Sequence, residues 1–392
     1  MSSAAQHTIN YADSGGDHRR NALRVILSGG GTGGHVFPAL AIAAELQRRE
    51  PGTEFLFVGA KGRMEMDKVP EAGYRIVGLD IAGFQRRLTA QNLLFPFRLL
   101  GSLYKAWRVV RDFKPEVAIG TGGYASGPVL RVAQWQGIPT VLQEQNSYPG
   151  VTNRLLGKKA NKVCVAFEGM EQWFPADRVV LTGNPVRENI TGPLLPRDEA
   201  LREFGLDPSR KTLFITGGSL GARVINEAIA AGMDQLLAAG LQLIWQTGKT
   251  YRAAYQGLES PRVRVLDFVR RMDAAYAAAD WIVSRAGGTI SELCIVGKPV
   301  ILLPSPNVAE DHQTKNVQAL VARKAAVLVR DTEAALHLVP AILNLVNDPQ
   351  ASGELSRRIR ELARPDATRQ IADEVLALLS PSPETASKNS RL

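Results

Sequence analysis

Twice along the chain a short apolar run breaks into a glycine-rich turn and then into an alanine- and isoleucine-rich stretch with helical spacing. The first instance is LRVILSGGGTGGHVFPALAIA (residues 23–43) and the second is KTLFITGGSLGARVINEAIAAGM (residues 211–233). A strand that turns this sharply into a helix belongs to a parallel sheet, because the helix is the crossover that returns the chain to begin the next parallel strand. Two such openings in a chain of 392 residues predict an α/β protein. We expect two Rossmann-like, doubly wound domains with a cleft between them.

The intervening runs agree with this. EFLFVG (54–59), VAIGTGG (117–123) and TVLQEQ (140–145) in the first half read as strands buried on both faces. LQLIWQTG, RVRVLDF, DWIVSRAGG and KPVILLPSP do so in the second. The expected division is a polar tail over 1–22, a first domain over 23–184, a second over 185–365, a helix over 366–382 that returns to the first domain, and a polar tail over 383–392. The N-terminal tail lacks the apolar core of a secretory signal, and no uninterrupted apolar stretch reaches the ~18 residues that span a bilayer. Cys164 and Cys294, each inside an apolar segment, read as buried reduced thiols. A cytosolic protein, free or lying on a surface, is expected.

A net charge of +9 suits nucleic acid, an anionic membrane or an anionic substrate. The chain has no zinc-ligand spacing, no aromatic RNA-binding signature and no long Lys/Arg block, which argues against nucleic acid.

The glycine loops narrow the choice. Unpaired N–H groups and the positive end of a helix dipole make such a turn a phosphate site, although a tight turn without a ligand has the same sequence. Gly29, Gly31 and Gly34 satisfy the spacing of a dinucleotide fingerprint. That fingerprint also needs an acidic residue at the end of the second strand, where this chain has Val58-Gly59-Ala60-Lys61. His35 gives the loop a titratable group, or merely a hydrogen-bonding residue at a helix terminus.

In the second half, Arg187 can pair with a diphosphate or form a surface salt bridge. Ser219 can cradle phosphate or cap a helix. Glu292, in Thr289-Ile290-Ser291-Glu292, has the spacing of a capping box. Asp311-His312-Gln313 opens another helix. There is no Asp-x-Asp pair and no cluster with metal spacing, so no metal and no cofactor is expected. Phosphate charge then falls to helix dipoles, amides and Arg187.

Together these residues resemble the MurG family of bacterial glycosyltransferases, which move N-acetylglucosamine from UDP-GlcNAc onto lipid I to give lipid II for peptidoglycan. The matching strings, in order, are GGGTGGHVFPALAIA (29–43), TGGYASGP (121–128), EQN (144–146), GVTNRLL (150–156), GNPVR (183–187), GGSLGA (217–222), DFV (267–269), SRAGGTISEL (284–293) and DHQTKN (311–316). The resemblance implies a GT-B fold with the donor on the C-terminal half. It implies uracil at the backbone of Phe268 and Val269, ribose on Glu292, diphosphate near Ser219 and Arg187, and sugar hydroxyls near Gln313. Thr32, Gly33, Gly34 and Asn146 are implied at the reacting sugar, and Gly31, Tyr124 and Asn153 at the acceptor. Two departures stand out: Gln143 occupies a place where the family often has His, and RAGGTISE is one residue shorter than the usual loop.

An α-linked donor that becomes a β-linked disaccharide requires one in-line displacement, hence a base for the attacking hydroxyl. His35 and Glu144 are the candidates, His35 being favoured. The implied partners are UDP-GlcNAc, lipid I, the anionic cytoplasmic surface of the inner membrane and other cell-wall synthesis proteins. Residues 84–111 mix Leu93, Leu94, Phe95, Phe97, Leu99 and Leu100 with Arg86, Arg87, Arg98, Lys105, Arg108 and Arg111, as a membrane-facing patch with a basic rim would. A related enzyme with another UDP-sugar or lipid acceptor, and a nonenzymatic nucleotide-sugar binder, are the alternatives.

Overall fold

The apolar runs form two parallel sheets in the computed structural model, which describes residues 22–81 and 95–380. The first sheet contains β1 (Arg24–Gly29), β2 (Glu54–Ala60), β3 (Arg75–Leu79), β4 (Val117–Gly122), β5 (Thr140–Glu144), β6 (Lys162–Val165) and β7 (Val179–Leu181). Its spatial order is β3-β2-β1-β4-β5-β6-β7. The second contains β8 (Lys211–Thr216), β9 (Leu241–Gln246), β10 (Val263–Leu266), β11 (Trp281–Ser284), β12 (Val300–Leu302) and β13 (Val327–Leu328), in the order β10-β9-β8-β11-β12-β13.

Helices cover both faces of each sheet, so successive strand residues enter opposite cores. In β1, Val25 and Leu27 pack with Ile42 of the first helix, whereas Ile26 packs with Leu130 on the other side. In β8, Leu213 and Ile215 face one core and Phe214 the other. Strand order reverses between β1 and β4 and again between β8 and β11, and a crevice opens at the carboxyl ends of strands where this happens. Both glycine loops lie at these switch points.

The chain crosses between the two halves twice. After β7, Ile190 enters the core of the second sheet. After the helix Pro349–Glu361 the chain returns, and Ile371, Ala372 and Val375 of the helix Ala367–Ala377 complete the core beneath the helix Gly33–Arg49. Burial of Ile371 and Val375 stabilises this return by about 1.5–3 kcal/mol each at most. The crossings touch: Gly183 has φ +92°, and a Cβ there would stand 2.5 Å from Arg364 Cβ, so both conformation and space demand glycine.

The first helix, Gly33–Arg49, begins inside the glycine-rich turn itself. Pro38 lies inside it without an N–H for the Gly34 carbonyl. The tails over 1–21 and 381–392, and the membrane-patch residues Arg86, Arg87, Leu93 and Leu94, lie outside the described residues.

Candidate active site

The β1 loop is built around His35, the third residue of its helix. The imidazole Nδ1 lies 2.9 Å from the Gly30 carbonyl and 3.2 Å from the Thr32 hydroxyl. A carbonyl oxygen only accepts, so Nδ1 donates to it and the neutral ring keeps a lone pair on Nε2. Burial holds the imidazole below its usual pKa, assisted by His312 and opposed by the Gly30 bond and Glu65. Thr32 is the N-cap, but its carbonyl, not its hydroxyl, engages the helix, accepting from His35 N at 3.1 Å and Val36 N at 3.2 Å. Gly30 N–H donates to Gly122 O and Gly31 N–H to Glu65. That leaves the first-turn amides of Gly33 and Gly34 for a ligand. Tyr124 stands exposed in the turn after β4.

Glu144 ends β5, 2% exposed. Its Oε1 accepts from the Asn146 backbone N–H (3.0 Å) and side-chain amide (3.2 Å), and its Oε2 from Asn153 (2.8 Å). Burial pushes the carboxyl up to about 7 against these bonds. Gln143, in the preceding position, is buried and donates to Asn184 at 3.1 Å.

In the second domain, Arg187 and Glu292 come together, with Arg187 Nε 3.6 Å from Glu292 Oε1. Glu292 also accepts from the Tyr276 hydroxyl at 2.9 Å. Its carboxyl is raised by burial, with Arg187 and Tyr276 opposing. The capping-box alternative fails here: the helix Thr289–Val296 has Gly288 as N-cap and no side-chain cap, and Glu292 points inward. Ser219 does not cap either, because its helix starts later, at Arg223, and Ser219 is exposed at the tip of the turn.

The expected base-binding backbone is partly occupied. Val269 N–H donates to Gln246 Oε1 at 2.7 Å and Phe268 N–H to Asp267 at 2.7 Å, which leaves carbonyls there. Gln246 also donates to Gly218 O at 2.9 Å, tying the β8 loop to this segment. Gln313 Oε1 accepts from Ser305 N–H at 2.8 Å. In the short loop before Glu292, Arg285 turns away to Leu303 O, Pro304 O and Asp331.

The two halves face each other at these loops. Gly288 lies against Gly34, a Cβ on the former standing 4.0 Å from Cα of the latter. Asn316 Nδ2 donates to Asn146 Oδ1 (3.1 Å) and to Ala286 O (3.4 Å), and its Oδ1 accepts from Ser147 N–H (2.9 Å) and Oγ (3.1 Å). Lys315 Nζ stands 3.1 Å from the Tyr148 ring centroid. Asn316, Lys315, Tyr148 and Glu65 were not singled out from the sequence. Asn316 lies in DHQTKN, but its partner is 170 residues away, and only Glu65, shortly after a glycine-ended strand, left a local trace. A cavity of about 250 Å³ lies beside the two crossings, lined by residues including Phe167, Asn184, Cys294, Arg323 and Arg364, and none of the expected site residues lines it.

Among the described residues no group of three or more His, Cys, Asp or Glu gathers where it could hold a metal ion. Nor is any helix among them long and apolar enough to cross a membrane.

The glycosyltransferase family 28 N-terminal domain matches residues 25–165 and the family 28 C-terminal domain residues 212–371. The chain is 54% identical over 358 residues to the UDP-N-acetylglucosamine--N-acetylmuramyl-(pentapeptide) pyrophosphoryl-undecaprenol N-acetylglucosamine transferase of Flavobacterium psychrophilum, covering 91% of this chain and 98% of that protein. It is 53% identical over 364 residues to the protein of the same name from Parabacteroides distasonis, covering 91% and 98%. The crystal structure of Acinetobacter baumannii MurG matches with a TM-score of 0.75 at 31% identity, over 91% of this chain and 99% of that one. With its two parallel-sheet domains in a GT-B arrangement, the chain belongs to glycosyltransferase family 28 and, within it, to the MurG transferases.

Proposed function

We propose that the chain transfers N-acetylglucosamine from UDP-GlcNAc to undecaprenyl-pyrophosphoryl-MurNAc-pentapeptide, lipid I, giving lipid II. The observation that carries this is the 54% identity to a transferase so named, along nearly the whole of both chains. In the mechanism we infer, Nε2 of His35 takes the proton of the acceptor hydroxyl as its oxygen attacks the anomeric carbon and the bond to UDP breaks on the opposite face. Two features favour His35 over Glu144. Its Nε2 is the ring nitrogen left to accept, and it is half-buried beside Gly122. Both oxygens of Glu144 are instead engaged by Asn146 and Asn153, a geometry that orients the loop after β5.

Charge on the departing diphosphate falls to Arg187 and the amides of the loop at Ser219, with ribose at Glu292, base at the Phe268 and Val269 backbone, and sugar at Gln313. Gly31, Tyr124 and Asn153 border the acceptor, and Thr32, Gly33, Gly34 and Asn146 the reacting sugar. The transfer needs no divalent ion in this scheme.

We place the protein peripherally on the cytoplasmic face of the inner membrane. The helix Phe95–Phe113 supports this: Phe97 (71% exposed), Leu100 (64%), Tyr104 (63%) and Trp107 recur at helical spacing on its open side. Arg98, Arg108 and Arg111 border them, Arg111 lying 4.6 Å from the Trp107 ring centroid. Lys105 is not part of this rim, since it donates inward to Gly78 O at 2.7 Å.

UDP release from UDP-GlcNAc in detergent with EDTA, with and without lipid I, tests the assignment. Release that depends on lipid I and survives EDTA is expected. Silence with lipid I despite UDP-GlcNAc binding points to another acceptor, and loss in EDTA overturns the metal-free scheme.

A further inference from the structure

The strand β2 closes on Gly59-Ala60, where a dinucleotide-binding domain would carry a ribose-binding carboxylate. A carboxylate is present after all, supplied from six residues further on and turned inward. Glu65, the first residue of the helix Glu65–Glu71, is 0% exposed. Its Oε1 accepts from Ala60 N–H and its Oε2 from Gly31 N–H, each at 2.9 Å. Two glycines clear its path. A Cβ on Gly30 would lie 2.1 Å from Glu65 Oε1, and one on Gly59 would lie 2.5 Å from its Cγ.

An ionised carboxylate is an acceptor at both oxygens, so one side chain closes two backbone donors that face each other across the β1 and β2 ends. Gly31 has φ +85°, a conformation in which the loop backbone has no helix or strand partner to hold it. We propose that Glu65 is a positioning residue for transfer: it fixes the glycine loop against β2 and, by taking the Gly31 amide, directs an incoming anion to the amides of Gly33 and Gly34. This rests on the proposed function, in which the glycine loop borders the acceptor and the reacting sugar; the anion is the diphosphate that lipid I carries.

Glu65 also faces His35 electrostatically. The titratable groups around that imidazole are Glu65 from the helix Glu65–Glu71, which favours its protonated form, and His312 from the second domain, which disfavours it.

Glu65→Gln tests the assignment, because a glutamine offers an acceptor to one amide and an NH2 to the other. We expect kcat/KM for lipid I to fall about tenfold or more while UDP-GlcNAc affinity stays near wild type and the thermal midpoint drops by no more than the few degrees that one unpaired buried amide costs. The acid limb of the pH profile should move to lower pH, and the Gly31 amide should exchange faster with deuterium. Gly59→Ala displaces Glu65 while keeping its charge, and should reproduce the kinetic loss without the pH shift. Wild-type kinetics with unchanged Gly31 exchange would overturn the proposal. So would a loss of UDP-GlcNAc binding that parallels the loss of kcat/KM in both variants, which marks a merely structural group. If the wild-type protein itself releases no UDP in response to lipid I, the proposed function fails, and Gly31 exchange in the two variants then decides on Glu65 alone.

Discussion

Asn316 of the second domain donates to Asn146 of the first at 3.1 Å, and Asn146 donates in turn to Glu144 at 3.2 Å. A buried carboxylate in one half is therefore held by a hydrogen-bonded chain whose far end, at Ala286 O, belongs to the loop before Glu292 in the other. Such chains of buried amides tolerate no gap, because each lost partner leaves a desolvated donor or acceptor behind.

Asn316→Ala orphans Ser147 N–H and Asn146 Oδ1, at a cost of about 1–3 kcal/mol. The expected result is a thermal midpoint lower by several degrees and a kcat/KM reduced by about tenfold or more. Asn316→Asp keeps the acceptor for Ser147 but loses the donor to Asn146, so it should fall between. Kinetics and melting of both variants check this, and a wild-type kcat/KM in Asn316→Ala sinks it.

Removing the base should cost about 10²–10⁴ in kcat. His35→Ala is expected to show that loss with UDP-GlcNAc binding retained. Glu144→Gln is expected to lose less, since it disturbs the Asn146 and Asn153 bonds and not the proton acceptor. Single-turnover rates with both substrates bound separate the two; the opposite ranking would transfer the base to Glu144.

The raised carboxyl of Glu144 has a sign in stability. Between its ordinary 4.5 and about 7, the unfolded chain has released this proton while the folded chain keeps it. Stability from this group is therefore present below the window, declines as pH rises through it, and is flat above. Relative to Glu144→Gln, the wild-type protein should lose on the order of 3 kcal/mol across that range. Urea titrations of both proteins from pH 4.5 to just above 7 measure the difference, and a pH-independent gap refutes it.

The exposed stripe on the helix Phe95–Phe113 predicts binding to vesicles containing phosphatidylglycerol. Phe97→Ser with Leu100→Ser should weaken partitioning by about tenfold, given ~25 cal/mol for each Å² of apolar surface withdrawn from water. Arg98→Glu should weaken it further at low salt than at high salt. Co-sedimentation at two ionic strengths reads both effects; indifference to all three substitutions places the membrane contact elsewhere.

The central strands were legible because burial on both faces writes them as unbroken apolar runs, as in VAIGTG of β4, all six residues of which are buried. Three of the four edge strands were not, the fourth, β10, being read in RVRVLDF, and the short interior β6 was missed with them. β3, β7 and β13 are half-covered, so RIVGL, VVL and VL carry no pattern that separates them from loops. At the site, His35, Glu144 and Glu292 were visible through their motifs, whereas the partners that fix them are distant in sequence. Tyr276 reaches Glu292 across two elements, and Asn316 reaches Asn146 across two domains. Local logic misled where helices begin away from the apparent cap, as at Ser219.

The close approach of Gly183 and Arg364 brings the outgoing and the returning crossing of the chain together at one place. Both chain crossings between the lobes are thus gathered on one side, whereas the tie that Lys315 and Asn316 make to Tyr148, Asn146 and Ser147 is held by side chains that can part without straining the backbone.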